Sequence, residues 1–259
     1  MKKIFVSVLL MSLSSLISCE FIGGTSDRAC RNLENGVYKF PELPENHGMT
    51  REEIDRFWDL PEDVASCIST EGLIQTLLDY PNLRLIMAGS NSPQHGYDAL
   101  IRSRFLGARE LETRRDRGTK LLERYKMVDP LGYDPDWDPV DIGHYLFYQV
   151  YYVEIILSQY IHLESLSEKE KTELVAFARG IYETKRSDTK ESSVWGLATS
   201  AAILSRLMKM DGFQPFLDAY QPQDIRWSVV EGYWPTTFDV VEIIYELSEE
   251  YLNQLTIAL

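Results

Sequence analysis

The clearest pattern along the chain is a run of apolar and aromatic residues from Pro139 to Glu164. Aliphatic residues recur in it at steps of three and four, as on one face of a helix: Ile142, Leu146, Val150, Val153, Leu157 and Ile161. Asp138 before Pro139 is typical of a helix start, because aspartate can cap free backbone N–H groups and proline fits the first helical turn. We therefore predict one long helix over this range.

Tyrosine and phenylalanine side chains cover the other faces of this predicted helix. A helix that is apolar on nearly all sides is expected to be enclosed by other elements or by lipid. Gln149, Glu154 and Gln159 lie near its middle, where each would be costly inside a membrane. The pattern therefore favours a buried central helix over a membrane span.

Shorter amphipathic segments with helix-start signals precede and follow the central helix. Thr50 with Glu53, and Ser167 with Glu170, have the spacing of a capping box. The sequence has neither a clear alternation of strand type nor a convincing fixed-period repeat. We predict an all-α fold, a helical bundle or a short αα-hairpin array around a long central apolar helix.

The N-terminus has the layout of an export signal, with two lysines, an apolar stretch and small residues before Cys19. The tetrad Leu16-Ile17-Ser18-Cys19 resembles the lipobox of bacterial lipoproteins. That resemblance implies cleavage before Cys19 and attachment of diacylglycerol to its thiol. An ordinary cleaved signal peptide with an incidental cysteine is the alternative.

Composition divides the chain into three parts. Residues 1–18 are predicted to be the lipoprotein signal peptide, and residues 19–48, rich in Gly, Asn, Pro and Glu, a flexible tether. Residues 49–259 are predicted to form a single helical domain. The resemblance places this domain on the bacterial cell envelope, anchored by lipid, at the outer membrane and facing the periplasm or the cell surface.

Charge restricts the partners of the processed chain. From Cys19 onward it has 24 basic and 40 acidic residues, a net charge of −16, against −14 for the whole chain. A strongly acidic protein repels phosphate backbones, so we expect no nucleic-acid partner. The same charge opposes docking on anionic lipid, so the membrane is expected to be reached through the acyl chains.

Two further cysteines and a group of aspartates suggest covalent or metal sites. Cys30 and Cys67 could form a disulfide in an oxidising envelope, or Cys67 could be buried while Cys30 lies in the tether. Asp134, Asp136 and Asp138 alternate as in a calcium loop. The glycine and the bidentate acid of an EF-hand are missing, so helix capping and turn formation are the alternative.

Catalytic motifs are not evident in the sequence, and no cofactor is predicted. His144 and His162 share a helical face but lie eighteen residues apart in the predicted helix, about 27 Å along its axis, too far to bind one ion. Glu154, among tyrosines, could be an acid of raised pKa of the kind used in glycoside hydrolysis. It could equally be a buried acid hydrogen-bonded to tyrosine hydroxyls.

Aromatic residues in irregular segments are the remaining candidates for binding. Trp227, Tyr233 and Trp234 lie in one such segment and Trp137 in another. Exposed aromatic rings can form platforms for sugar rings or for a partner protein. Alternatively, the same residues could fold onto the core.

Three segments of the chain resemble uncharacterised all-helical secreted proteins of gut anaerobes: Leu60–Val64, Ile68–Pro81 and Leu121–Tyr125. The resemblance implies a fold and a habitat and carries no activity. We therefore expect a lipid-anchored envelope protein that acts as a non-enzymatic binding or protein-interaction module. A small-ligand or glycan-binding protein, with or without hydrolytic activity, is the alternative.

Overall fold

The computed structural model of the protein describes Cys30 and residues 33–45, 47–88, 92–187, 194–233 and 237–259. Within these residues the chain is helical, and its β-type pairing is limited to one isolated bridge between Glu34 and Val37. The predicted all-α fold is confirmed. None of the described helices is both long enough and apolar enough to span a bilayer.

Short helices form the first half of the domain and longer helices the second. The first half contains α1 (Arg51–Phe57), α2 (Glu62–Cys67), α3 (Thr70–Leu78), α4 (Leu85–Ala88), α5 (Pro93–Gly96) with a π-helical turn (Tyr97–Arg102), α6 (Leu106–Thr113) and α7 (Arg117–Tyr125). The central segment contains α8 (Pro139–Leu146), a π-helical turn (Phe147–Tyr151), α9 (Tyr152–Leu157) and α10 (Tyr160–Leu163). The second half contains α11 (Glu168–Ser187), α12 (Val194–Met210), α13 (Gln214–Ala219), a 3-10 helix (Ile225–Glu231) and α14 (Asp239–Ala258).

Both predicted capping boxes are present. The Glu53 carboxylate accepts the Thr50 backbone N–H at 2.7 Å, and the Thr50 hydroxyl accepts the Glu53 N–H in return. Before α11, the Glu170 carboxylate accepts the Ser167 N–H at 2.8 Å. Local sequence therefore determines where α1 and α11 begin.

The predicted central helix is interrupted rather than continuous. Asp138 caps α8 as expected, since its carboxylate accepts the N–H groups of Val140 and Asp141 at 2.8 and 2.9 Å. The helical path then ends at Ser158 and Gln159, whose side chains both donate to the Ile155 carbonyl. Such side-chain bonds compete with the helical ladder and separate α9 from α10.

The second half of the central segment is enclosed and the first half is not. Every residue from Val150 to Gln159 is buried, whereas Asp141, His144, Tyr148 and Gln149 are exposed. The expectation that this segment is surrounded on nearly all sides is therefore wrong for α8, which leaves one face open to solvent. The candidate site lies on that face.

The buried residues form one core. The long helices α11, α12 and α14 pack on one another, and α9 packs against both α7 and α12. Because α9 lies between the early and the late helices, it connects the two halves of the domain.

The predicted tether has to be corrected, because residues 33–45 lie on the helical domain. The Tyr38 N–H donates to the Thr76 hydroxyl at 3.1 Å, and the Trp58 indole donates to the Pro41 carbonyl at 2.9 Å. The Phe40 ring packs 5.6 Å from that of Tyr80. Aromatic residues in this segment bury apolar surface on the domain, and this offsets the entropy lost on ordering it.

A disulfide joins Cys30 to Cys67 at the end of α2, with the two Cα atoms 6.1 Å apart. This is the bridged alternative of the sequence analysis. Nearby, the Gly36 backbone lies so close to α3 that a Cβ on Gly72 would be 2.1 Å from the Gly36 carbonyl oxygen. Glycine is needed there because two backbones meet.

Candidate functional site

An open groove on the exposed face of α8, which we call the aromatic groove, is the strongest candidate for a binding site. Its volume of about 390 Å³ is lined by Trp137, Asp141, His144, Tyr145, Tyr148 and Gln149. Ligand sites occupy roughly 300–1,000 Å³ and combine apolar walls with a few polar groups. The groove has both features.

Helical spacing assembles the groove. Asp141, Tyr145 and Tyr148 are separated by four and three residues, so they follow one another along one side of the helix. The proline and the capping aspartate fix the start of α8, and Trp137 directly precedes that cap. The groove therefore combines a helix face with the loop that leads into it.

Tyr145 holds the loop against the helix. Its hydroxyl donates to the Asp129 carbonyl at 2.8 Å, and its ring lies edge-on to Trp137 and Tyr133, with centroids 6.2 and 6.1 Å apart. Burial and the charge of Asp129 raise the pKa of the Tyr145 hydroxyl, which therefore stays protonated as a donor. This contact positions the Trp137 ring.

The rings at the two ends of the groove are accessible. Trp137 is 43% exposed and Tyr148 is 41% exposed. Both are far more exposed than the aromatic residues of the core, so they can contact a ligand without unfolding any element. The sequence prediction that Trp137 is a surface aromatic residue agrees with this position.

The calcium hypothesis for Asp134, Asp136 and Asp138 is not supported by their arrangement. The Asp134 carboxylate accepts the Asp136 N–H at 2.9 Å, and the Asp138 carboxylate caps α8. In the described part of the chain, no three His, Cys, Asp or Glu residues lie close enough to hold a metal ion. Turn formation and capping account for two of the three acids.

Glu154 lies in the core, in a network of polar side chains from four helices. Its carboxylate is 0% exposed and accepts the Lys185 ammonium at 2.5 Å, the Tyr125 hydroxyl at 2.6 Å and the Ser200 hydroxyl at 2.6 Å. Thr199 also donates to it. We call these five residues the buried polar network, and they correspond to the buried-acid alternative of the sequence analysis.

The buried polar network has groups suited to catalysis but no access for a substrate. Lys185 lies 3.0 Å from the Ser200 hydroxyl, and burial lowers the pKa of its ammonium, with Glu154 opposing the shift. These are features of a base beside a nucleophile. However, Ser200 and Glu154 are fully buried, so a ligand has no access to Glu154 in this structure, and its position is that of the buried-acid alternative rather than of a ligand-binding residue.

Of the aromatic residues predicted in the second irregular segment, the structure describes Trp227 and Tyr233, and it does not bring these two together as a platform. Trp227 is 5% exposed and packs edge-on against Phe216 and Tyr220, which is the alternative in which the residue folds onto the core rather than binding a ligand. Tyr233 is exposed at the edge of a small cavity. Trp234 and the lipidation candidate Cys19 lie outside the described residues.

The small cavity beside Tyr233 reaches towards the buried polar network. Ile155, Thr199, Arg206 and Val229 are among the residues that line it, and its volume is about 20 Å³. That is room for about one water molecule. The space next to Glu154 is therefore too small for a sugar ring or a peptide side chain.

His162 in α10 is a buried titratable group outside the groove. It is fully buried, and neither ring nitrogen has a hydrogen-bond partner among the described residues. Burial, together with the positive charges of Arg117 and Arg102, lowers its pKa from 6.5 to about 3. The folded protein therefore keeps this imidazole neutral.

We expect acid to destabilise the protein through His162. Between pH 6.5 and about 3 the unfolded chain binds a proton there that the folded chain does not, so stability falls as the pH falls, by about 1.4 kcal/mol per unit. The free energy of unfolding in urea should be measured for the wild type and for His162→Leu at pH 7.5 and at pH 5. Its decrease between the two pH values should be about 2 kcal/mol larger in the wild type. His144→Gln, which removes an exposed histidine, is the control. Equal pH dependence of the unfolding free energy in the wild type and in His162→Leu would contradict the expectation.

Sequence reasoning identified Trp137 but missed the other residues that line the groove. His144 was considered as a metal ligand, and Gln149 as an argument against a membrane span. The available signal was that Asp141, His144, Tyr148 and Gln149 form a polar and aromatic stripe opposite the aliphatic stripe of α8.

Comparison of the chain with known protein families, curated proteins and solved structures finds no match.

Proposed function

We propose that this protein is a non-enzymatic binding module of the bacterial envelope and that its ligand binds in the aromatic groove. The observation that carries the proposal is the pair of exposed rings, Trp137 in the loop before α8 and Tyr148 in the π-helical turn after it, which line one groove with the Asp141 carboxylate. Aromatic side chains supply large contact areas at a low cost in conformational entropy. A preformed helix face adds little ordering cost on binding.

Binding without chemical change is supported by where the reactive groups lie. In the buried polar network the Glu154 carboxylate, the Lys185 ammonium and the Ser200 hydroxyl approach one another closely, but they are buried, and Glu154 and Lys185 form an ion pair there. Among the residues that line the groove, Asp141 alone has a carboxylate, whereas glycoside hydrolysis uses a pair of carboxyl groups. The groove is therefore better suited to recognition than to catalysis.

The proposed address is the envelope, through a lipid on Cys19. Because the disulfide fixes Cys30 to the domain, the eleven residues that follow Cys19, up to and including Cys30, would hold the domain within about 40 Å of the membrane. We expect mass spectrometry of the mature protein to find a diacylated N-terminal Cys19, and Cys19→Ala to release the protein from membranes. An unmodified mature N-terminus would contradict the proposed address.

The binding function can be tested with a panel of soluble oligosaccharides and short peptides, screened by thermal shift and measured by calorimetry. A ligand of the groove should lose about 1–3 kcal/mol of binding free energy in Trp137→Ala and in Tyr148→Ala. The ligand should be recovered chemically unchanged after incubation with the protein. Tyr233→Ala removes an exposed ring elsewhere and should leave binding intact.

Two results would contradict the proposal. One is a ligand that binds equally well to the wild type and to both groove variants. The other is a ligand that is cleaved or modified in the groove, which would support the hydrolytic alternative for this site.

A further inference from the structure

Exposed apolar side chains are concentrated in the stretch of the chain that contains the aromatic groove. Of the thirteen large hydrophobic residues that are exposed in the described part of the chain, five lie between residues 127 and 148: Met127, Leu131, Trp137, Val140 and Tyr148. Concentrated exposed apolar surface on a folded protein marks an interaction site. A partner with both apolar and polar parts would fit this region better than a fully polar one.

Along the sequence, the side chains of this stretch that carry a full charge at pH 7 are all acidic. The sequence contains no lysine or arginine between Lys126 and Lys169, whereas five aspartates lie between residues 129 and 141. Asp134, Asp136, Asp138 and Asp141 are all exposed, and none of them forms an ion pair within the described residues. Carboxylates elsewhere on the domain, such as those of Asp211 and Glu231, pair with lysines.

We infer that the aromatic groove binds a lysine- or arginine-bearing segment of another protein; this inference rests on the proposed function. A cationic side chain over the Trp137 or Tyr148 ring would be attracted by the negative face of the ring. The Asp141 carboxylate lines the same groove and would form an ion pair with it. The remaining aspartates would attract the segment before contact.

The position of Arg124 restricts where the cation lies. Its guanidinium donates to the Gln149 side chain at 3.2 Å, at one end of the groove. A second cation would be repelled there. The binding cation therefore lies towards Trp137 and Asp141, so that substitutions at these two residues have larger effects than substitution of Gln149.

The test uses two peptides that differ in charge alone. One is acetyl-Ala-Arg-Ala-Arg-Ala-amide, and the other has citrulline, which is neutral and nearly isosteric, in place of both arginines. Calorimetry on the full domain at pH 7.5 should find the arginine peptide bound at least about tenfold more tightly, the effect of a single desolvated cation–π or ion-pair contact. Affinity should fall with added salt, as expected for exposed charges.

Variants separate the groove from the general negative charge of the protein. Trp137→Ala should weaken the arginine peptide by about three- to thirtyfold, and Asp141→Asn by about two- to fivefold. Glu250→Gln removes the same charge from an exposed position on α14 and should change the affinity by less than about twofold. Tyr233→Ala is the matched control for loss of an exposed ring.

Equal weakening by Asp141→Asn and Glu250→Gln, with no effect of Trp137→Ala, would overturn the inference, because it would indicate nonspecific attraction. Equal binding of the arginine and citrulline peptides would overturn it as well. A neutral oligosaccharide that loses affinity in Trp137→Ala, while the arginine peptide does not bind, would reject the cationic partner and leave the binding function standing. If no peptide or oligosaccharide changes its affinity in the groove variants, both the cationic partner and the proposed binding function are rejected.

Discussion

Lys185→Met should lower the free energy of unfolding by about 3–5 kcal/mol, the usual cost of removing one partner of a buried ion pair. Lys185 is 4% exposed and its ammonium lies 2.5 Å from the fully buried Glu154 carboxylate. Methionine fills a similar volume, so the loss comes from the uncompensated carboxylate rather than from a cavity. Urea unfolding followed by circular dichroism measures the change.

The double variant, with Glu154→Met and Lys185→Met together, should lose less free energy of unfolding than either single variant. Glu154→Met alone leaves the Lys185 ammonium buried beside the neutral oxygens of Gly196 and Ser200. With both charges removed, Thr199 can still donate to the Gly196 carbonyl, at 3.0 Å. Replacing a whole buried pair by apolar residues is often neutral, so we expect a coupling energy of about 2–4 kcal/mol between the two sites.

Lys169→Met is the matched control, since it makes the same substitution on the exposed face of the same helix. Lys169 is 77% exposed and lies 3.9 Å from Glu173, so its loss should cost no more than about 0.5 kcal/mol. If Lys185→Met is as mild as this control, or if the two core substitutions are additive, the buried polar network does not stabilise the packing of α9 against α11 and α12.

The helices could be predicted because their signals are local. Capping at Thr50, Asp138 and Ser167 involves residues two or three positions away, and helical spacing of apolar residues is visible in any short window. The break after α9 could not be predicted in this way. Serine and glutamine also occur within helices, and at Ser158 the local bond to Ile155 is joined by a tertiary one, because the Ser158 carbonyl accepts the Arg206 guanidinium, 48 residues away.

The candidate site was only partly predictable for a similar reason. Trp137 and Trp227 are the same residue type in irregular segments, yet one is exposed and the other is buried by Phe216 and Tyr220. Sequence composition does not distinguish them, because burial depends on which helix the segment folds against. The partners of Glu154 lie 29 to 46 residues away in sequence, so the acid was recognised but Lys185 was not.

The residues 33–45 show how burial of aromatic side chains can outweigh a polar, proline-containing composition. The sequence predicted a tether on the basis of Gly, Asn, Pro and Glu. Leu33, Tyr38 and Phe40 instead pack against the core, and the disulfide from Cys30 holds the start of the segment. Average composition missed these few apolar residues, although they decide where the segment lies.

Arg206 in α12 joins three segments that sequence reasoning treated separately. It is 2% exposed, and its guanidinium donates to the Val230 carbonyl at 3.0 Å, the Ser158 carbonyl at 2.8 Å and the Gln94 side chain at 2.8 Å. These acceptors are neutral. The Gln94 amide in turn donates to the Asp98 carboxylate at 2.9 Å, so Gln94 links the buried cation to an acid it does not touch.

Arg206→Lys should therefore be far from conservative and should lower the free energy of unfolding by about 2–4 kcal/mol. A single ammonium cannot reproduce the planar fork that reaches all three acceptors, and each buried carbonyl left without a donor costs about 1–3 kcal/mol. Since Val230 lies in the 3-10 helix Ile225–Glu231, hydrogen exchange should increase first in that helix and around Ser158. Arg186→Lys, on the exposed surface, should change stability by less than about 0.5 kcal/mol. An Arg206→Lys variant as stable as this control, with unchanged exchange in the 3-10 helix, would mean that apolar packing rather than the guanidinium holds these segments together.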